Sequence, residues 1–195
     1  KMFADADRIY RIDIDNQTNG EYSEYAAAPG PMAGVIATDC PQVKTVTRFR
    51  QVTSVLMRKP EAVQNVKETY VTAADTSFFM MFGLNLLEGN RKTALKEPNS
   101  LVLTKSAVKR HFGSEKALGK SLLLDNEKLF VVTGVMDDLP RNSFLRNHSV
   151  FISLSSYEDE KTMAWNTWYF PTFVKLTPGT PVGHLDTFLG TVNEK

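Results

Sequence analysis

The sequence predicts an α+β fold, and three stretches carry that prediction. Pro98 to Pro140 patterns as strand, helix and hairpin; Val43 to Arg50 and Val52 to Met57 alternate as strands; Val182, Leu185, Phe188, Leu189 and Val192 share one face of a closing helix. With 195 residues, 42% of them hydrophobic, the chain can bury a sizeable core and hold one domain or two small lobes.

Within the first stretch, Leu101, Val102 and Leu103 run together as a short buried strand that begins at Ser100. Thr104 is placed to cap the helix that follows. Ala107, Val108, His111 and Phe112 fall on one face of that helix, and Gly113 closes it as a left-handed cap. After the loop Ser114 to Gly119, Leu122 and Leu124 mark a strand, and Asp125-Asn126 supplies the turn for a hairpin returning along Leu129 to Val135.

Taken from the beginning, Phe3 to Arg8 predicts a short helix running into a strand, Ile9 to Ile14; Asp15 to Gly20 reads as a turn, with Tyr22 and Tyr25 on the return strand. Pro29-Gly30-Pro31 breaks the chain before a helix over Met32 to Asp39. Beyond the alternating runs, Pro60 marks a loop before a strand over Val63 to Thr72. Asp75 and Thr76 are candidate caps for an aromatic helix, Ser77 to Phe82, whose Phe78, Phe79, Met81 and Phe82 cover too much of its surface for a solvated helix. Phe144 to Leu154 is a further strand candidate, and Glu158 to Lys161 a solvated charge run. Trp165, Trp168, Tyr169 and Phe170 form an aromatic cluster that could contact a partner or apolar ligand; strand core is the plainer reading, since Phe173, Val174 and Leu176 continue the run.

Several chemistries are absent or miss their pattern. The formal charge of +1, from 23 basic and 22 acidic residues, provides no long-range field for nucleic acid. The single cysteine, Cys40, excludes a disulfide scaffold. Gly119-Lys120-Ser121 ends like a phosphate-binding loop, but the glycine spacing from Gly113 is wrong and the segment runs from a helix into a strand. A calcium loop starting at Asp15 would place Ala26 where the bidentate glutamate belongs. His111, His148 and His184 are scattered without metal spacing, so no metal site is expected. Asp137 and Asp138 would point to opposite faces of a strand, which argues against an acid–base pair. No catalytic residue and no cofactor is assigned, and an enzyme is not expected.

The longest nearly apolar run, Phe78 to Leu87, falls far short of the ~20 residues that span a bilayer. Lys1 is not an initiator methionine and Phe3 to Arg8 resembles the middle of an element, so a fragment of a longer protein is expected.

One resemblance covers most of the chain. Ala6-Asp7-Arg8-Ile9-Tyr10-Arg11, Phe78-Phe79 with Phe82 and Leu87-Glu88-Gly89, Ala94 to Ser100, His111-Phe112-Gly113, Leu118-Gly119-Lys120, Val131 to Val135 with Asp138-Leu139-Pro140, then Trp165-Asn166, Trp168 and Phe173 to Leu176 follow one another in an order that resembles the MacB-like periplasmic core domain. That domain occurs in ABC transporter permeases of the MacB, FtsX and lipoprotein-releasing type, and the version here looks most similar to that of Bacteroidetes. The resemblance implies a two-lobed α+β fold: a porter-like α/β lobe, residues 1–77 and 138–195, interrupted by a smaller mixed Sabre-like lobe, residues 78–137. It further implies a non-catalytic lobe on the periplasmic face of the inner membrane that transmits motion from a cytoplasmic ATPase. Its expected partners are that ABC ATPase, a second permease copy, and a periplasmic adaptor or outer-membrane exit protein. The alternative from a different class is a stand-alone periplasmic binding domain for an apolar ligand or peptide, using the aromatic cluster.

Overall fold

Apolar alternation and a few strong turn signals shape the chain into the elements of a computed structural model, which describes residues 5–18, 21–157, 165 and 168–193. After a 3₁₀ turn at Ala6–Arg8 come β1 (Ile9–Ile12), β2 (Ile14–Thr18), β3 (Glu21–Tyr25), β4 (Ala28–Pro29), α1 (Met32–Asp39), β5 (Val43–Arg58), β6 (Val66–Ala74), α2 (Phe78–Met81) and β7 (Glu88–Gly89). They are followed by β8 (Ser100–Thr104), α3 (Lys105–Phe112), β9 (Ser121–Leu124), β10 (Lys128–Met136), β11 (Val150–Ser153), β12 (Trp168–Phe170), β13 (Thr172–Leu176) and α4 (Gly183–Asn193). The fold is mixed α and β, as expected.

The strands join in the order β1-β13-β5-β6-β11-β8-β10-β7, with β9 pairing both β10 and β5. Through that double pairing β5, β6, β11, β8, β10 and β9 close into a ring. Each of these strands contributes to one buried cluster, from Val55, Val71, Leu101, Leu122, Val132 and Ile152 among others, and Ala107 and Phe112 of α3 join it. On β8 and β11 the next residue in line faces the other way. Val102 and Phe151 enter a second cluster with Phe78, Phe79 and Phe82 around α2. A third cluster lies beneath α1 and α4, where Ile12, Met32, Ile36, Val174 and Leu185 meet.

The 98–140 stretch forms as its residues direct. The Thr104 side chain accepts a hydrogen bond from the Ala107 amide, Gly113 ends α3 at φ 63°, and Asp125 and Asn126 turn the β9–β10 hairpin at φ 50° and 60°. An extra residue in β10, Thr133, shifts its parallel pairing with β8 between Val132 and Gly134, and the Thr133 hydroxyl donates to the Ala94 and Leu101 carbonyls.

Some elements differ from the sequence expectation. The runs Val43–Arg50 and Val52–Met57 are one unbroken strand, because β13 pairs its first part and β6 its second, and no turn residue separates them. Asp15 to Thr18 extend as strand opposite β3, so the expected turn begins later, with residues 19–20 outside the described set. Asp75 and Thr76 do not cap α2: Asp75 accepts from the Arg48 amide, and Thr76 donates to the Leu95 carbonyl. Of Phe144 to Leu154, only Val150–Ser153 is strand. One connected sheet joins segments 1–77, 78–137 and 138–195, since β8 bonds to β11 and β9 to β5.

Candidate functional site

The aromatic cluster divides. The Trp165 side chain is 47% exposed, whereas Phe170 is 0% exposed, inside the ring cluster, with the Arg48 guanidinium 5.4 Å above its ring. Trp168 pairs with Pro29 across β12 and β4, and the side chains of Trp168 and Tyr169 lie outside the described residues, as does the run 158–161.

Polar groups converge elsewhere, in an open cleft of about 500 Å³ between the start of β6, the first turns of α3 and residues 146–149. Its floor is Glu68, whose side chain is only 5% exposed although it sits on a strand. Arg110 grips the carboxylate with two bonds, Nε to Oε1 at 2.9 Å and Nη2 to Oε2 at 2.8 Å, and His111 Nε2 lies 2.8 Å from Oε1. Ser149 bridges Arg110 and Glu68 through its hydroxyl. Burial alone would raise the Glu68 pKa, but the hydrogen bonds from His111 and Arg110 outweigh it and bring it down to about 2.

At one wall Asp138 accepts from the Ser106 amide at 3.2 Å and from its hydroxyl at 2.7 Å, so the carboxylate sits at the N-terminus of α3. Burial pushes the Asp138 pKa up and the Ser106 and Thr104 hydrogen bonds pull it below its usual value. Its neighbour Asp137 pairs instead with Lys105 at 2.7 Å; both aspartates lie past the end of β10 at Met136, so they are separated by the loop and not by strand alternation. At the opposite wall His148 Nδ1 makes a short contact with the Thr72 hydroxyl, and burial lowers the imidazole pKa. Tyr70, 44% exposed, packs beside His148 with ring centroids 6.0 Å apart. Its φ of 59° places a bulky residue in the left-handed region within a paired strand, a conformation that costs about 1–3 kcal/mol.

Sequence reasoning placed His111 on the buried face of α3 but missed its partner. The signal was a lone Glu68 in an otherwise strand-like run; its partners lie 42 and 43 positions away, beyond any local pattern.

Residues 1–185 match the family model described as the MacB-like periplasmic core domain. The chain belongs to that family. It is the family of periplasmic domains of MacB-like ABC transporter permeases, not a catalytic one. The whole MacB-like domain superposes with a TM-score of 0.82 on a domain assigned to a permease protein from Porphyromonas gingivalis, at 23% identity and covering 83% of that chain. It is also similar in fold to the periplasmic region of MacB from Actinobacillus actinomycetemcomitans, with a TM-score of 0.62, 18% identity, and coverage of 93% of this chain and 74% of that one. The extracellular domain of the noncanonic ABC-type transporter YknZ from Gram-positive bacteria gives a TM-score of 0.58 at 14% identity, over 90% of this chain and 85% of that one. No curated protein matches.

The remaining motifs of this MacB-like domain are engaged in structure. The Gly119 amide donates to the Val132 carbonyl and the Lys120 amide to that of Ala117, while Lys120 Nζ pairs with Glu115, so these groups are not turned towards a phosphate. Among the described residues no group of three or more His, Cys, Asp or Glu is placed to hold a metal ion, and no helix is long and apolar enough to cross a membrane.

Proposed function

We propose that this MacB-like domain works without chemistry of its own, passing ATPase-driven motion through the permease and contacting substrate or periplasmic partners. The observation that carries the reading is the placement of β1 and α4. Ile12 of β1 and Leu185 of α4 share one buried cluster, and the Arg8 guanidinium, in the turn before β1, donates at 3.0 Å to the carbonyl of Leu176 at the end of β13, so β1, β13 and α4 form one unit. From that unit β5 runs uninterrupted for 16 residues into the ring, a span of roughly 50 Å at about 3.3 Å per residue. A displacement applied to β1 and α4 therefore reaches the ring through this hydrogen-bonded strand, alongside the aromatic cluster at α2 into which Ile9 and Phe173 pack.

On this reading the moving units are the β1–β13–α1–α4 lobe and the ring, which is wider than 78–137 because β6 and β11 belong to it. The partners are a cytoplasmic ABC ATPase, a second permease copy, and a periplasmic adaptor or exit protein. The test is to insert a flexible Gly/Ser linker in the parent permease between this domain and each flanking segment. Transport should fall while ATP hydrolysis persists; transport at the original rate would end the reading. The alternative, a stand-alone binding domain for an apolar ligand or peptide at Trp165, Trp168, Tyr169 and Phe170, has the exposed Trp165 in its favour and the burial of Phe170 against it.

A further inference from the structure

The cleft above Glu68 has a second feature besides its polar floor. Strand β11 joins β6 only from Val71 onward, so Val66 to Thr69 is bonded to β5 on one side and its other edge borders the cleft. Around that edge stand Lys67 and Arg146, both exposed and neither with an ion-pair partner among the described residues. Arg110 is held by Glu68, and Asp138 by the first turn of α3. The lining thus sets three cations against two carboxylates that are already engaged, which leaves room for one further negative charge rather than two.

We infer that the cleft between the open edge of β6 and residues 146–149 takes an extended peptide segment bearing a single carboxylate, which seats between Arg146 and Lys67. The segment adds main-chain hydrogen bonds along Val66 to Thr69, in the manner of strand addition to a sheet edge, and the carboxylate supplies selectivity through charge-assisted bonds. The cleft volume of about 500 Å³ lies within the range of sites that hold ligands of this size. Tyr70 and His148 border the same opening, so the phenol and the free imidazole nitrogen offer neutral contacts to the flanking peptide. This inference stands on the cleft and does not depend on the transport role.

The experiment titrates the nitrogen-labelled chain with a blocked hexapeptide of serine and valine carrying one central glutamate, and follows backbone amide shifts. Saturable shifts confined to β6 and residues 146–149 at millimolar peptide are expected. Arg146→Ala, at an exposed site, should weaken binding about tenfold with an unchanged unfolding midpoint. The glutamine peptide should lose at least the same factor on the unaltered chain and less on Arg146→Ala, where Lys67 alone still faces the carboxylate, and the difference between the two losses measures the Arg146 pair. Absence of shifts, or equal affinity of the glutamine peptide, overturns the proposal. Tighter binding of a phosphoserine counterpart overturns the single-charge assignment, and binding of acetate as strong as that of the peptide overturns the strand-addition part.

Discussion

On the ring half of the sheet both faces carry a buried cluster, one enclosed with α3 and one beneath the aromatic helix α2. The β1–β13 half has a single cluster of its own, under α1 and α4, and its opposite face is covered from the ring side: Ile9 and Phe173 pack into the α2 cluster, with Phe173 stacked 5.9 Å from Phe49 and edge-on to Phe82 at 5.2 Å. Lys175, on that same face, donates to the Met80 carbonyl and pairs with Asp5. The difference assigns different roles to the two halves. The ring holds itself together, whereas the half bearing β1 and α4 depends on the phenylalanine junction for its second layer.

The largest effect should come from breaking that junction. Phe78 is fully buried and touches Phe49, Phe79, Phe82 and Phe151, so Phe78→Ala should cost about 3–5 kcal/mol in denaturant unfolding. Amide protection should fall in both halves together; loss in the ring alone would break the comparison. Next is Leu185→Ala, which removes a buried side chain from the half bearing β1 and α4 and should cost about 2–3 kcal/mol. Hydrogen exchange should quicken across α4 while the ring amides keep their rates, because α4 covers only its own cluster.

The smallest, at about 2 kcal/mol, is Glu68→Gln, which leaves the Arg110 charge without its partner but partly in contact with water. Glu68 also shapes the acid response. Its folded pKa of about 2 lies below the ordinary 4.5, so its contribution is fully present above pH 4.5 and is lost as pH falls towards 2. Glu68→Gln should therefore flatten the acid decline of stability in that window, as measured by unfolding midpoints across pH. An unchanged decline would assign it to other carboxylates and remove Glu68 as the acid-sensitive point of the ring.

The legible parts of this fold were the local ones. Thr104, Gly113 and Asp125-Asn126 each act on residues within a few positions, and the strand, helix and hairpin they delimit are present with the expected Thr104 cap and turn, while Gly113 stops the helix at positive φ with ψ −117° and not in the left-handed helical conformation. The burial of α2 was legible as well, because four large apolar side chains on so short a helix leave no solvated face. Long-range pairing decided the rest. Nothing near Met57 announces that Leu124 will pair with it and close the ring, and the length of β5 depends on exchanging β13 for β6 as its partner between Arg48 and Phe49. The cleft was hidden for the same reason: Glu68, Arg110 and His148 become neighbours only after β6 and β11 have paired in parallel.

The register of β1 against β13 has a mechanical consequence. Ile9 lies opposite Lys175, so β1 begins at the same end of the ladder from which the chain leaves β13 towards α4. Tugged in the same direction, the two strands travel as one handle and their mutual bonds carry no load. Drawn apart, they peel from that end one rung at a time, which makes this ladder stiff towards a common pull and weak towards a splitting one.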